Sequence, residues 1–263
     1  MKQLNTLKCF LIGMIVLSQV GCKLESIQDP IIVTNIEKAF YINLWEELYP
    51  NHRNLRIDIQ SLKNQPCVNY TIAYDWAASD KKFELSINDI VEPIDCILGL
   101  GPATAKIDVG DLESRIFNMS IGLEQTVINN GQLIVDGESY TIQMETEEGI
   151  IIPEKILRKV PPQSAWGFVA FQNTADQIKA GELLSTLKSL GEPILLKEGK
   201  YGYFSFLDNK LLVNGAPVAG QASSFLISFN GDEKELKQVV DNFRAQHSGS
   251  VTVKVFTAKG SVI

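Results

Sequence analysis

The chain has 263 residues, 45% of them hydrophobic and 21% charged, a composition that supports packed cores and excludes a disordered, collagen-like or polytopic membrane chain. Its 24 Lys+Arg against 31 Asp+Glu give a net charge of −7. No basic run interleaved with aromatics offsets that charge, so nucleic acid is not an expected partner.

Lys2 and Lys8 flank the start of an apolar run, CFLIGMIVL over residues 9–17, which continues only to Val20. The run is well short of the roughly 20 residues a membrane-spanning helix needs, and a basic start followed by a short apolar run and small residues makes a secretory signal. It ends Leu17-Ser18-Gln19-Val20-Gly21-Cys22. This resembles the lipobox of bacterial lipoproteins, in which a small residue precedes an invariant cysteine, with Gln19 here where that family usually has Leu. The resemblance implies cleavage before Cys22, a diacylglycerol on its sulfur, and anchoring to the bacterial envelope, at the outer membrane on its periplasmic or surface side. Loss of residues 1–21 removes Lys2, Lys8 and no acid, so the net charge of −7 becomes −9.

Cys9 would leave with the signal and an acylated Cys22 would be blocked. Cys67 and Cys96 remain, either as a disulfide suited to an oxidising compartment or as two buried thiols.

Residues 22–53 read as a tether and a short helix. Ile36, Phe40, Leu44 and Leu48 recur at helical spacing, and Pro50 ends the segment; the Phe40-Tyr41-Ile42 run also fits an edge strand. Over 54–148 the period changes to two. Leu55, Ile57 and Ile59 alternate with polar neighbours, as do Val68, Tyr70, Ile72 and Tyr74, then Phe83, Leu85 and Ile87. Ile107 and Val109 follow, then Phe117, Met119 and Ile121. Leu133 and Val135 lead into Asp136-Gly137, a hairpin signal, and Tyr140 and Ile142 return. Such short strands indicate an all-β sandwich or small barrel. The stretch from Gly101 to Leu112, leading to Phe117, resembles the approach to the E–F corner of immunoglobulin-like domains, with Phe117 where that family has its Tyr. The resemblance implies an Ig-like sandwich and no ligand.

Pro153, Pro161 and Pro162 break both periods, so residues 149–165 read as a linker between domains. Residues 166–263 are mixed. A strand at 166–171 precedes a helix capped by Thr174 and carrying Ile178, Leu184 and Leu187. Strands at 193–197 and 201–207 come next, then a hairpin arm at 210–213. A strand at 225–229 leads to a helix with Leu236, Val239, Val240 and Phe243 on one face, and Val251, Val253 and Val255 close the chain. The twice-repeated strand-helix-strand unit indicates an α+β ferredoxin-like two-layer domain with an inserted hairpin. Phe168-Val169-Ala170-Phe171, Leu190-Gly191 and Tyr201-Gly202-Tyr203-Phe204 resemble SPOR domains, which implies peptidoglycan binding through this half.

Chemistry-bearing motifs are sparse. His52 and His247 are the only histidines; they lie far apart, and no GxSxG, HExxH, CxxC or phosphate-cradling glycine pattern occurs. No cofactor or metal site is expected. Asp108, Asp111 and Glu113 crowd one turn, where they either bind calcium or serve the turn's own backbone. Trp76, Tyr201 and Tyr203 either stack on a partner or pack in a core. The expected function is a lipid-anchored, non-enzymatic envelope protein acting in binding, adhesion or assembly on a protein or glycan partner. A tethered hydrolase using dispersed carboxylates is the alternative from another class, and a pocket holding a carboxylate with a raised pKa would favour it.

Overall fold

The computed structural model describes residues 39–124, 126–217, 221–246 and 251–263. The expected signal, the expected lipidation at Cys22, most of the expected tether and His247 lie outside them. The described residues form one compact unit, built mainly from β-strands.

The first strands are β1 (Phe40–Leu48), β2 (Arg53–Cys67), β3 (Thr71–Ala78), β4 (Lys82–Val91) and β5 (Leu98–Gly110). Next come β6 (Arg115–Leu123), β7 (Val127–Val135) and β8 (Ser139–Met144), with the short β9 (Ile150–Ile151) and β10 (Ile156–Arg158) inside the 149–165 stretch. The helix expected before Pro50 is corrected to a strand: β1 pairs antiparallel with β2 along its whole length. Phe40, Ile42, Leu44, Glu46 and Leu48 all point inward. A spacing of four is a multiple of two, so the apolar positions suit either period, and an inward glutamate hides the alternation.

The remaining elements are β11 (Ser164–Phe171), α1 (Thr174–Lys188), β12 (Glu192–Pro193), β13 (Gly199–Lys200), β14 (Phe204–Leu207), β15 (Lys210–Val213), β16 (Ala222–Ser228), α2 (Glu233–Gln246) and β17 (Val251–Thr257). One large sheet has the order β15-β14-β13-β10-β8-β7-β6-β4-β3-β5-β2-β1-β9. It is sandwich-like, and the inward residues of β1, β2 and β4–β8 converge on a single apolar core, among them Ile57, Phe83, Ile107, Ile121, Leu133 and Ile142. The Asp136-Gly137 hairpin forms as expected, with Val135 opposite Tyr140. Asp136 Oδ1 accepts from the amides of Glu138 and Ser139, 2.7 Å each, and these bonds hold its carboxyl below the ordinary carboxylate range.

A second sheet, β12-β16-β11-β17, is antiparallel throughout. On one face Ala165 and Val169 pack with Leu183 and Leu187 of α1 and Leu236 and Val240 of α2. On the other, Trp166, Phe168 and Ala170 pack with Tyr201, Phe204 and Val213. Both faces of β11 are therefore buried, which is why its sequence is a continuous apolar run. Asn173, not Thr174, caps α1: its side chain accepts from the Asp176 amide at 3.1 Å. Ile178, expected on the core face of that helix, is exposed. The hairpin between β12 and β16 leaves the second sheet: β13 pairs with β10, and β14 and β15 extend the large sheet.

Candidate functional site

The turn between β1 and β2 brings Arg53 back beside Glu46. Glu46 is 0% exposed; its Oε1 accepts from Arg53 at 3.1 Å and its Oε2 from the Val160 amide at 2.8 Å. Arg53 also donates to the Val160 carbonyl at 2.8 Å. Burial pushes the Glu46 carboxyl above its ordinary value, and Arg53 and the Val160 amide only partly offset this. The carboxylate is thus perturbed in the sense that would suit a catalytic acid, but it is sealed beneath its partners. Its geometry is that of a latch joining β1, β2 and the segment after β10.

Outside the latch lies a cleft of about 400 Å³, lined by Arg53, Arg158, Lys159, Lys197, Glu138 and the apolar wall of Leu195, Leu196 and Pro161. Lys197 and Glu138 pair across it. The Lys159 ammonium sits 4.5 Å from the centre of the Tyr140 ring, and burial pushes its amine below the ordinary lysine value. Tyr140 is itself buried, which pushes its phenol up. Cations beside an aliphatic wall suit a ligand that carries an anionic group on an apolar body. A second hollow of about 240 Å³ shares Arg53 and is bordered by Tyr49, His52, Glu233 and Lys259. His52 stacks on Tyr49 with ring centres 4.6 Å apart.

The aromatics singled out from sequence do not meet in one site. Trp76 is 37% exposed on β3 and lies 6.2 Å from the Phe83 ring. Tyr201 is 4% exposed, stacks on Phe204, donates its hydroxyl to the Lys197 carbonyl at 2.7 Å and lies in the wall of the cationic cleft. Tyr203 is half-buried, packed between Trp45 and Trp166 at 5.4 and 5.6 Å. Both rings fill the seam between the β14–β15 arm and the second sheet, where large apolar area is removed from water.

In the acidic turn, Asp108 accepts from Asn54 Nδ2 at 3.0 Å and from the Gly110 amide at 3.0 Å, and Glu113 pairs with Arg115 at 2.6 Å. No grouping of three His, Cys, Asp or Glu side chains placed to hold a metal occurs among the described residues.

Cys67 and Cys96 are bonded, with Cα atoms 5.4 Å apart. The bond clamps the 92–97 loop to the end of β2. Asn69 reinforces it by donating to the Asp95 carbonyl at 2.7 Å and accepting from the Ile97 amide at 3.0 Å. Sequence reasoning passed over this end of the molecule, where Ile94, Ile97, Leu98 and Leu100 stand in solvent; the run Ile97-Leu98-Gly99-Leu100 was the available signal.

Comparison with protein-family models, with curated proteins and with solved structures yields no match. No helix among the described residues is long and apolar enough to cross a membrane.

Proposed function

We propose that the protein is exported, lipid-anchored to the cell envelope through Cys22, and acts by binding rather than by catalysis. The observation that carries this reading is the Cys67–Cys96 disulfide, a bond expected in an oxidising compartment, in a chain whose apolar N-terminal run ends Val20-Gly21-Cys22. The cationic cleft beside Arg158 and Lys159 is the surface offered to a partner, an envelope protein or a glycan bearing acidic groups. The sealed position of Glu46 favours binding over a carboxylate-driven hydrolase.

The proposed architecture is an Ig-like sandwich followed by a ferredoxin-like unit. In support of the second, taking β11, β12, β16 and β17 as strands one to four gives the order two-three-one-four, with a helix after the first and third. The same order supports a peptidoglycan-binding reading of residues 166–263, which co-sedimentation of the protein with purified sacculi tests.

Intact mass of the membrane fraction tests the main reading. A species matching residues 22–263 plus acyl groups is expected, and Cys22→Ala is expected to abolish that acylated species. An unmodified mass, or a membrane fraction unchanged in the variant, overturns the lipid anchor.

A further inference from the structure

The disulfide-clamped end of the large sheet keeps an unusual set of side chains in water. Ile94 is fully exposed, Leu98 and Leu100 are 89% and 79% exposed, and Val68, Val91 and Ile97 are each more than two-fifths exposed. Soluble surfaces scatter such residues singly; six together mark a surface that something apolar covers. The exposure is built in. The Cys67–Cys96 bond, the Asn69 bonds and the Val68 amide to the Ile97 carbonyl (3.0 Å) fix the loop to the end of β2 and the residues after it. Gly99, at φ +151°, has no side chain to meet Val68 Cγ1, which lies 2.9 Å from where a Cβ would be. Val68 therefore lies on the glycine face of β5, while Leu98 and Leu100 project from the opposite face. The result is a wedge, aliphatic on both sides, and a fluid apolar medium covers a wedge more completely than one flat protein face does.

Position identifies that medium. The described chain begins at Ala39, whose carbonyl accepts from the Leu62 amide at 2.8 Å. Ala39 thus sits at the end of the sheet toward which β2 runs to Cys67, and the wedge lies about 17 Å further along β2 at ~3.3 Å per residue. Cys22 is 17 residues before Ala39, a reach of at most about 60 Å. A tether of that length allows a membrane that holds the anchor to meet the wedge as well.

We propose that this wedge docks into the lipid bilayer that holds the anchor, resting on the reading of Cys22 given above. Ile94, Leu98 and Leu100 enter the acyl region, and the opposite end of the sheet, with Arg53 and the cationic cleft, faces away from the membrane. The exposed acids Glu92 and Asp95 border the wedge, so zwitterionic headgroups are preferred over anionic ones.

Tryptophan placed at the wedge reads this out. Full-length Ile94→Trp and Leu98→Trp proteins, with Ile178→Trp on α1 as the remote control, are mixed with phosphatidylcholine vesicles brominated on the acyl chains. Quenching beyond the parent protein is expected at positions 94 and 98, at least about threefold that at 178, and weaker when phosphatidylglycerol replaces half of the lipid. In the unacylated Cys22→Ala background, the Leu98→Asp, Leu100→Asp double variant, with its disulfide verified by mass, is expected to lose at least tenfold in vesicle-bound fraction relative to the Cys22→Ala protein. Equal quenching at all three positions overturns the proposal. So does concentration-dependent dimerisation that Leu98→Asp abolishes, because the wedge would then cover a second copy. Acyl groups found on Cys22 with unquenched tryptophans refute the wedge and leave the anchor standing. Quenched tryptophans with an unmodified Cys22 do the reverse.

Discussion

The two ends of the large sheet solve opposite problems. At the Cys67–Cys96 end, aliphatic side chains remain in water although burying each would stabilise the fold by about 1.5–3 kcal/mol. At the β1–β2 turn, a glutamate is fully buried, and its desolvation is offset by Arg53 and the Val160 amide. A buried ion pair is weak evidence for stability in itself, because desolvation rivals the attraction. Its value here is positional: Glu46 fixes where the chain after β10 crosses β1. The exposed leucines have no comparable structural reason, so they are the better pointer to function.

The largest expected effect lies in the latch. Arg53→Ala leaves Glu46 buried without its cation and should cost about 3–5 kcal/mol, read as a lower midpoint in urea unfolding. Replacing both partners, Glu46→Leu with Arg53→Met, should cost less than Arg53→Ala alone, since no unpaired charge remains. The pH dependence sharpens the test. The folded-state pKa of Glu46 is raised above its ordinary 4.5, so the folded state holds the proton more tightly than the unfolded chain. The contribution of this group is complete below about pH 4.5 and is lost as pH rises through the raised value. Glu46→Gln should therefore show a flatter stability profile than the parent from pH 4.5 upward.

The wedge end comes next. Cys67→Ser with Cys96→Ser opens a link between residues 29 apart and should cost roughly 3 kcal/mol. Amide exchange should rise first over 92–101, where the bond holds the loop. Unchanged exchange there would show that the Asn69 bonds hold the loop without it.

These two ends also mark where the fold was legible in the sequence. Strands β2, β4, β6, β7 and β8 each bury one face, so period two appears directly in Ile57, Phe83, Met119, Leu133 and Ile142. β1 buries one face as well, but the inward Glu46 removed an apolar mark from the alternation, and a helix fitted what remained. β11 was visible as an unbroken apolar run. The departure of β13–β15 to the large sheet was not, because the choice of strand partner depends on β10 and on the aromatic seam around Trp166, not on local pattern. Of the candidate site, the sequence offered the Cys67–Cys96 bond as one of two alternatives, together with Tyr201 in the cleft wall. An exposed Leu98 and a buried Leu133 look alike in sequence, and the cationic cleft is assembled from residues more than 100 positions apart.

A smaller effect is expected where the second sheet meets β1. Gly260 has φ +82°, and a Cβ there would run into the Leu48 carbonyl oxygen, so the turn before the C-terminus lies directly on the end of β1. Gly260→Ala should cost about 1–3 kcal/mol from the left-handed backbone and the forced displacement. If the second sheet depends on this seat, the fluorescence of buried Trp166 should report unfolding at the same lowered midpoint as the far-UV signal. Two separated transitions would show that the sheets unfold independently.

The smallest effect separates the cleft's role from its stability. The Lys197–Glu138 pair is more than three-fifths exposed on both sides, and such pairs contribute between nothing and about 1 kcal/mol. Lys197→Met should move the unfolding midpoint little, and less still at high salt, where exposed pairs are screened. Removing that lysine nonetheless leaves Glu138 uncompensated at the mouth of a cleft whose other charged walls are Arg53, Arg158 and Lys159. Capture of an acidic partner or glycan should therefore weaken far more than stability does. A variant that loses both in proportion would mark the cleft as scaffold, and the wedge would remain the functional end of the sheet.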